Sequence, residues 1–540
     1  MIAHFYLYLI SGTIKPSNLF ISFFKHLPYL TGIFLLFFLF GRTVETKADD
    51  QLRWLLPSKI RNLDPHAYQN FEEEILLYQI YEKLFSQDED LIPNPNLIER
   101  LKQLSPTRWE FTLRENVRFH SGSLLKAEDV VFSLNRAMGI GSSVRPHTTS
   151  FGSIASIDDF RFQIILDKPN PLLLVQLAQI NIVSKSWIVE RSLTEIDTSS
   201  ENHFFETNGT GPFKLNQMEG KTLKLFKNMS WWKSSESLVE IIEILQEPKV
   251  VRQREMLEDN LVDFLVPVST QQVDLLSQNE KIIMHERPSL RTIFLGFKIS
   301  SGTHKSVLLN PFESIEARRF VKSSLQLEEL LSRVYSRQGI LSEHIVPPDA
   351  HGGPTYQNPN KINLLGSSIQ NRKHSLELKT SKLNLDCPND RYENVKLLCS
   401  EIQRQLEKSG VPIKLNLRSS DEHFEDLRQG KSNLFLMGWG LPTYDSHYML
   451  NYLYRSGSSW NFTGYSNPLV DQLIGAIDQE WRPSLREKML NLTWAILDKE
   501  LLYFPLIHPN FIWATRNNWS IPVRPDGIPL LYKAQNDPES

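Results

Sequence analysis

The stretch MGWGLPTYDSHYML at 437–450 gathers an indole at Trp439, a phenol at Tyr444, a carboxylate at Asp445 and an imidazole at His447. It leaves a run of apolar residues, NLFLMGW, that reads as a buried strand, and enters a Pro-containing loop, the place where an α/β architecture presents ligand contacts. The chemistry these groups suit is recognition, with Trp439 either facing a ligand or filling the core. Bond-making chemistry finds no comparable group. There is no HExxH, no GxSxG and no Walker A loop, and GKS at 430–432 lacks the glycine five places upstream that shapes a phosphate cradle. Fourteen histidines are scattered without a helical ligand pair, so no metal site is expected. The triplet Glu72, Glu73, Glu74 reads as a solvated helix face. With no nucleophile, metal or cofactor signature, the chain is not read as an enzyme.

The elements that must hold these residues are mixed. A helix over FEEEILLYQIYEKLF (71–85) opens with Asn70 and Glu73 in a capping-box pattern, and a second is expected from about Lys126 to Met138. RYENVKLLCSEIQRQLEKSG places Val395, Leu398, Ile402 and Leu406 on one helical face and stops at Gly410. VPIKLNL then alternates as a half-buried strand. The order is helix, strand, loop, strand, with Pro and Gly concentrated at 347–359. Cys387 precedes that helix and Cys399 lies within it, roughly 12 Å further along the axis at 1.5 Å per residue, so free thiols are expected.

Length and charge narrow the class. The chain has 540 residues, 41% of them hydrophobic, enough for several domains with large cores. Its 59 basic and 62 acidic residues give a formal charge of −3, which argues against nucleic acid or an anionic membrane surface as partner. The apolar run at 27–40 falls short of the roughly 20 residues of a membrane-crossing helix and suits a secretory segment, with Thr46 and Ala48 before a cleavage point at Asp49; a retained N-terminal anchor is the alternative for residues 1–48.

Several segments in order resemble one family. LDPHAYQNFEEEILLYQIYEKLF (63–85), the block PNLIERLKQLSPTRWEFTLRENVRFHSGSLLKAEDVVFSLNRAM (95–138), GTGPFKL (209–215), NMSWW (228–232), IFLGFK (293–298), MGWG (437–440), GYSNPLVDQLI (464–474) and LLYFPLIHP (501–509) are similar to the extracytoplasmic solute-binding proteins of peptide and nickel ABC importers, solute-binding protein family 5. The resemblance implies an α/β, two-lobed periplasmic-binding-protein fold of type II with an inserted subdomain. Lobe I would comprise 49–95, 209–290 and 500–540, the insert 96–208, and lobe II 291–499. Gly209 and Gly211 would lie in a crossing segment. The implied function is capture of a peptide or peptide-like solute between the lobes and delivery to an inner-membrane ABC permease, by a periplasmic or tethered monomer without a cofactor.

The resemblance also implies a site. Trp439 would face the cleft, and the main chain of Gly438 and Gly440 would pair with an extended peptide. Many peptide-binding members carry an aspartate just after this tryptophan to hold the peptide's α-amino group; here Pro442 and Thr443 stand there. Asp445 is then either a substitute anchor or a turn residue. Tyr444 would line the cleft as in the nickel branch, an alternative weakened by the lack of a histidine at 452–464, with His447 the remaining candidate ligand. Tyr68, Asn70, Arg145 with His147, Arg455 and Trp460 complete the candidates, the arginines offering charge to a carboxylate. A ligand sensor reusing the same clamp is the further alternative.

Overall fold

The computed structural model describes residues 51–536 apart from 89, 197–204, 220–221, 234–238, 300–309, 337, 342 and 356–382. The expected secretory or anchoring segment at 1–48 and the end of the 347–359 stretch lie outside those residues. The elements that matter for the site are, in chain order, β1 (Gln51–Leu56), α1 (Phe71–Ile80), α2 (Ala127–Ala137), β2 (Ile241–Gln246), β3 (Phe264–Leu265), β4 (Ile282–Pro288) and β5 (Arg291–Phe297). They continue with β6 (Leu383–Pro388), α3 (Val395–Lys408), β7 (Ile413–Arg418), α4 (Ser420–Arg428), β8 (Leu434–Gly440) and β9 (Tyr503–Arg516).

The strands join in the order β7-β6-β8-β5-β9-β3-β1-β2, extended by Thr222–Lys227 and Phe213–Glu219. β1 runs parallel to both β2 and β3. Its Leu52, Trp54, Leu55 and Leu56 are all fully buried, as a parallel strand covered on both faces demands. At the other end β6 is parallel to β7 and β8, with α3 packed across them. The antiparallel β9 links the two halves: Tyr503–Ile507 pairs with β5, and Asn510–Arg516 with β4. The first third of β9 thus pairs with a strand of the 291–499 segment and the remainder with strands that precede residue 290. A separate four-stranded antiparallel sheet, made by Ile98–Ser105, Arg108–Leu113, Arg161–Leu166 and Phe151–Ser156, lies within the expected insert. Its core includes Phe111 stacked on Phe162 at 5.1 Å.

Three local expectations need correction. The first concerns the acidic triplet, which is not a solvated face. Asn70 caps α1 by accepting from the Glu73 amide at 2.8 Å, but the Glu73 carboxylate is fully buried. It takes the amides of Arg61, Asn62 and Gln69 at 2.8, 3.1 and 2.7 Å, which offsets the cost of its burial. Glu74 is also held out of bulk water, and burial raises its pKa against the opposing charge of Lys83. The second is that α1 stops at Ile80 rather than 85. Tyr81 is extended, and the Ile80 carbonyl accepts from Gly211 N–H at 2.9 Å.

That contact explains the glycines. A Cβ on Gly209 would sit 2.0 Å from the Ile80 oxygen, and one on Gly211 2.6 Å from it. Close backbone approach, not a left-handed φ, is what requires glycine here. Gly209→Ala is expected to lower stability by roughly 1–3 kcal/mol, the usual range for overpacking. Urea unfolding of the two proteins checks this; an unchanged midpoint would show that the 209–211 segment yields freely.

Third, the cysteines form a bridge. Cys387 and Cys399 are disulfide-bonded with Cα atoms 6.7 Å apart. The reading of free thiols treated Cys387 as lying on the helix axis. It lies at the end of β6 instead, and α3 folds back over that strand with Val395, Leu398, Ile402 and Leu406 buried, bringing Cys399 over it.

Candidate functional site

β8 is the floor of the site. One edge pairs with β5 along its whole length, from Leu434 opposite Phe297 to Gly440 opposite Arg291. The other edge pairs with β6 only at Leu434 and Phe435, so the strand from Met437 onward has no strand neighbour on that side. The loop between β6 and α3 reaches this gap. Tyr392 Oη accepts from the Gly438 amide at 2.7 Å and donates to the Gly438 carbonyl at 3.3 Å. Gly438 is thus not open to a ligand: its main chain is occupied, and a Cβ there would stand 2.7 Å from the Tyr392 ring. By the two-residue alternation of a strand, the next main-chain groups aimed at the open edge are those of Gly440, which is exposed and has nothing within 4 Å of a Cβ position.

Trp439 points to one wall of a cavity of about 250 Å³ lined also by Phe424, Tyr448, Tyr452, Trp460 and Arg391. Its ring is 5.4 Å from Trp460 and 5.9 Å from both tyrosines. Trp439 is partly buried, and its indole N–H is buried without a partner among the described residues. Among the described residues Arg391 is the one charged side chain on this cavity. Its guanidinium lies 5.1 Å from the Phe424 ring, and it makes no ion pair among the described residues. A cation held over an aromatic face beside an apolar pocket suits an anionic group attached to an apolar one.

A second cavity, of about 190 Å³, shares Tyr448 and Tyr452 with the first. It is closed on the opposite side by insert residues, including His147, Asn170 and Gln176, and on the near side by Pro442 and Thr443. Burial pushes the His147 imidazole down to about 4, so it is neutral at pH 7.

The remaining sequence candidates are placed elsewhere. Asp445 is buried and spent: Arg486 donates to its two oxygens at 2.7 and 2.9 Å, and the His447 amide adds a third bond at 2.9 Å. It is no substitute anchor for an amine. Tyr444 does not line either cavity. It is buried with a left-handed φ of +57°, and its hydroxyl donates to Asp526 at 2.8 Å, pinning the 441–446 loop to the C-terminal segment. Asp526 is also held by Arg524, a fully buried guanidinium. Burial pushes the nearby Lys83 ammonium down to about 8. His447 lines the second cavity, but its Nε2 faces the Ile474 carbonyl at 3.1 Å. Among the described residues no three His, Cys, Asp or Glu side chains converge on a metal position. Asn70 is the helix cap, Tyr68 packs between two apolar clusters, and Arg145 is exposed on a short turn beside His147. Arg455 pairs with Asp478 at 2.8 Å. Of the named candidates, Gly438, Trp439, Gly440 and Trp460 meet at the first cavity, and His147 and His447 at the second.

Arg391 and Tyr392 went unnoticed in the sequence. The signal was there: they follow a strand that runs parallel to its neighbours, and ligands collect at the carboxyl ends of such strands.

Two α/β sheets joined by β9, with an aromatic cavity at the carboxyl end of the second, define a two-lobed solute-binding protein. The family model for bacterial extracellular solute-binding proteins, family 5, middle part, matches residues 93–461. The glutathione-binding protein GsiB of Salmonella typhimurium is 21% identical over 492 residues, covering 86% of this chain and 91% of that one. The uncharacterized protein YhjP of Bacillus subtilis is 29% identical over 196 residues, a match that spans 35% of this chain and 31% of that protein. Among solved structures, HbpA2 from Haemophilus parasuis superposes with a TM-score of 0.78 at 18% identity, over 90% of this chain and all of that one. The chain belongs to the bacterial extracellular solute-binding proteins, family 5. It is by family an extracellular solute-binding protein.

Proposed function

We propose that this protein captures a short peptide-like acid with a carboxylate on Arg391, the adjoining apolar side chain in the cavity of Trp439 and Trp460, and the main chain beside Gly440. The observation that carries this is Arg391 itself: a guanidinium without an ion pair among the described residues, standing over an aromatic-walled cavity at the open edge of β8. Arg291, opposite Gly440 in the register, is exposed and adds positive potential at the same end of the strand. Binding alone is the activity; a monomer that closes on its solute and docks on a permease, tethered or free, completes the reading.

Arg391→Gln is expected to weaken binding of a C-terminally free dipeptide ending in Phe by about 10- to 100-fold, the range for one charged hydrogen bond, while leaving the weak binding of its amide unchanged. Isothermal titration of both ligands against both proteins measures this. Equal losses for acid and amide would mean that Arg391 acts through the fold and not on the carboxylate.

A further inference from the structure

The two cavities, taken together, say what the rest of the solute is not. Because they share Tyr448 and Tyr452, a ligand anchored at Arg391 that extends past those rings enters the second cavity. Among the described residues only one carboxylate lines it. Asp478 accepts from Arg455 at 2.8 Å and from Asn451 at 3.2 Å, so its charge is already matched. Asp445, next in sequence to Tyr444, is turned into Arg486. The other polar groups on the wall are neutral or cationic: Thr443, Asn170, Gln176, neutral His147, and exposed Lys168, which has no ion pair among the described residues. Glu74 stands among the charges of Lys83 and Arg524 and does not line this cavity.

An ammonium entering this space would shed water without meeting a free anion, which is costly. An amide or acyl group would meet hydroxyl and carboxamide partners. We infer that the solute has no charged amino terminus: it is an N-blocked peptide-like acid, with its acyl or other neutral group in the cavity between Thr443 and Gln176 and its carboxylate at Arg391. This rests on the carboxylate reading above and extends it to the opposite end of the ligand.

The test separates the two ends. Tryptophan fluorescence of the whole protein is titrated with Ala-Phe, N-acetyl-Ala-Phe, and the C-terminal amide of each. N-acetyl-Ala-Phe is expected to bind at least about tenfold more tightly than Ala-Phe. Equal or tighter binding of Ala-Phe overturns the inference and leaves the Arg391 reading standing. Loss of the acid-over-amide preference overturns the Arg391 reading instead, and no binding by either acid overturns both. Gln176→Glu then supplies a carboxylate at the second cavity with little change in shape, retaining the acceptor that Asn170 Nδ2 uses at 2.7 Å. It is expected to move the preference toward Ala-Phe by roughly tenfold. Thr443→Asp is the second variant. An unshifted preference in both, with native circular dichroism, counts against the assignment of this cavity to the amino end.

Discussion

Between pH 7.5 and pH 5 the protein is expected to lose most of its stability. Burial pushes five imidazoles, His66, His120, His147, His423 and His508, down to about 4. His66 shows why: Arg136 Nη1 donates to its Nδ1 at 3.1 Å, and its Nε2 bonds the Asn181 carbonyl at 2.8 Å, an arrangement that only the neutral ring satisfies. In the unfolded chain these rings titrate near 6.5. Since the folded values are depressed, the unfolded state binds more protons between about pH 6.5 and 4. The stabilisation is whole above pH 6.5 and drains away as pH falls through that window. At about 1.4 kcal/mol per pH unit for each ring, five rings could remove on the order of 10 kcal/mol by pH 5, comparable with the entire stability of an ordinary domain. Urea midpoints at pH 7.5, 6.0 and 5.0 measure this. A midpoint that holds constant to pH 5 would mean that the pocketed rings are protonated in the folded protein. Replacing one ring, as in His423→Asn, should make the slope shallower even if it also lowers stability at pH 7.5.

Removing the Cys387–Cys399 bridge is expected to affect both stability and binding. The bridge brackets the loop that carries Arg391 and Tyr392 to the open edge of β8. The same loop bonds the other half of the molecule: Glu393 accepts from the amide and hydroxyl of Thr270 at 2.7 and 2.8 Å, and Asn394 donates to that hydroxyl at 2.9 Å. Cys387→Ser with Cys399→Ser should cost about 3 kcal/mol through the freed chain entropy of a short closed loop. It should also weaken solute binding by about tenfold, because four adjacent residues lose their anchor together. Denaturation and titration of the double variant check the two effects separately. A drop in stability with unchanged affinity would reduce the bridge to a core fastening.

The architecture was legible in the sequence because its signals are local and redundant. The apolar stripe of α3 and the buried run of β8 each follow from periodicity alone, and the ordered motifs fixed the family. What was not legible depended on which partner a polar side chain finds in space. Asp445 has the same local sequence whether it faces an amine or Arg486, 41 residues later. Tyr444 looked like a wall of the cleft, and its left-handed backbone turned it toward Asp526, 82 residues away. The acidic triplet failed for the same reason: the amides that satisfy Glu73 come from the loop before the helix, which no helical pattern reports. The Cys387–Cys399 bridge is hidden from residue spacing because distance along a helix says nothing of a chain that doubles back.

β9 has a consequence for how the molecule can be divided. Its 14 residues are hydrogen-bonded to β5 at one end and to β4 and β3 at the other, so both halves complete their sheets with one late-arriving strand. A chain truncated before Tyr503 lacks the strand that pairs with β5 in one half and with β4 and β3 in the other. The half built on β5–β8 and the start of β9 is one continuous segment from Arg291 to Ile507, whereas the other half is discontinuous and its sheet closes only once the chain has reached Arg516. Unfolding should accordingly be a single transition spanning both halves, and nascent chains still short of β9 should depend on chaperones or on export in an unfolded state.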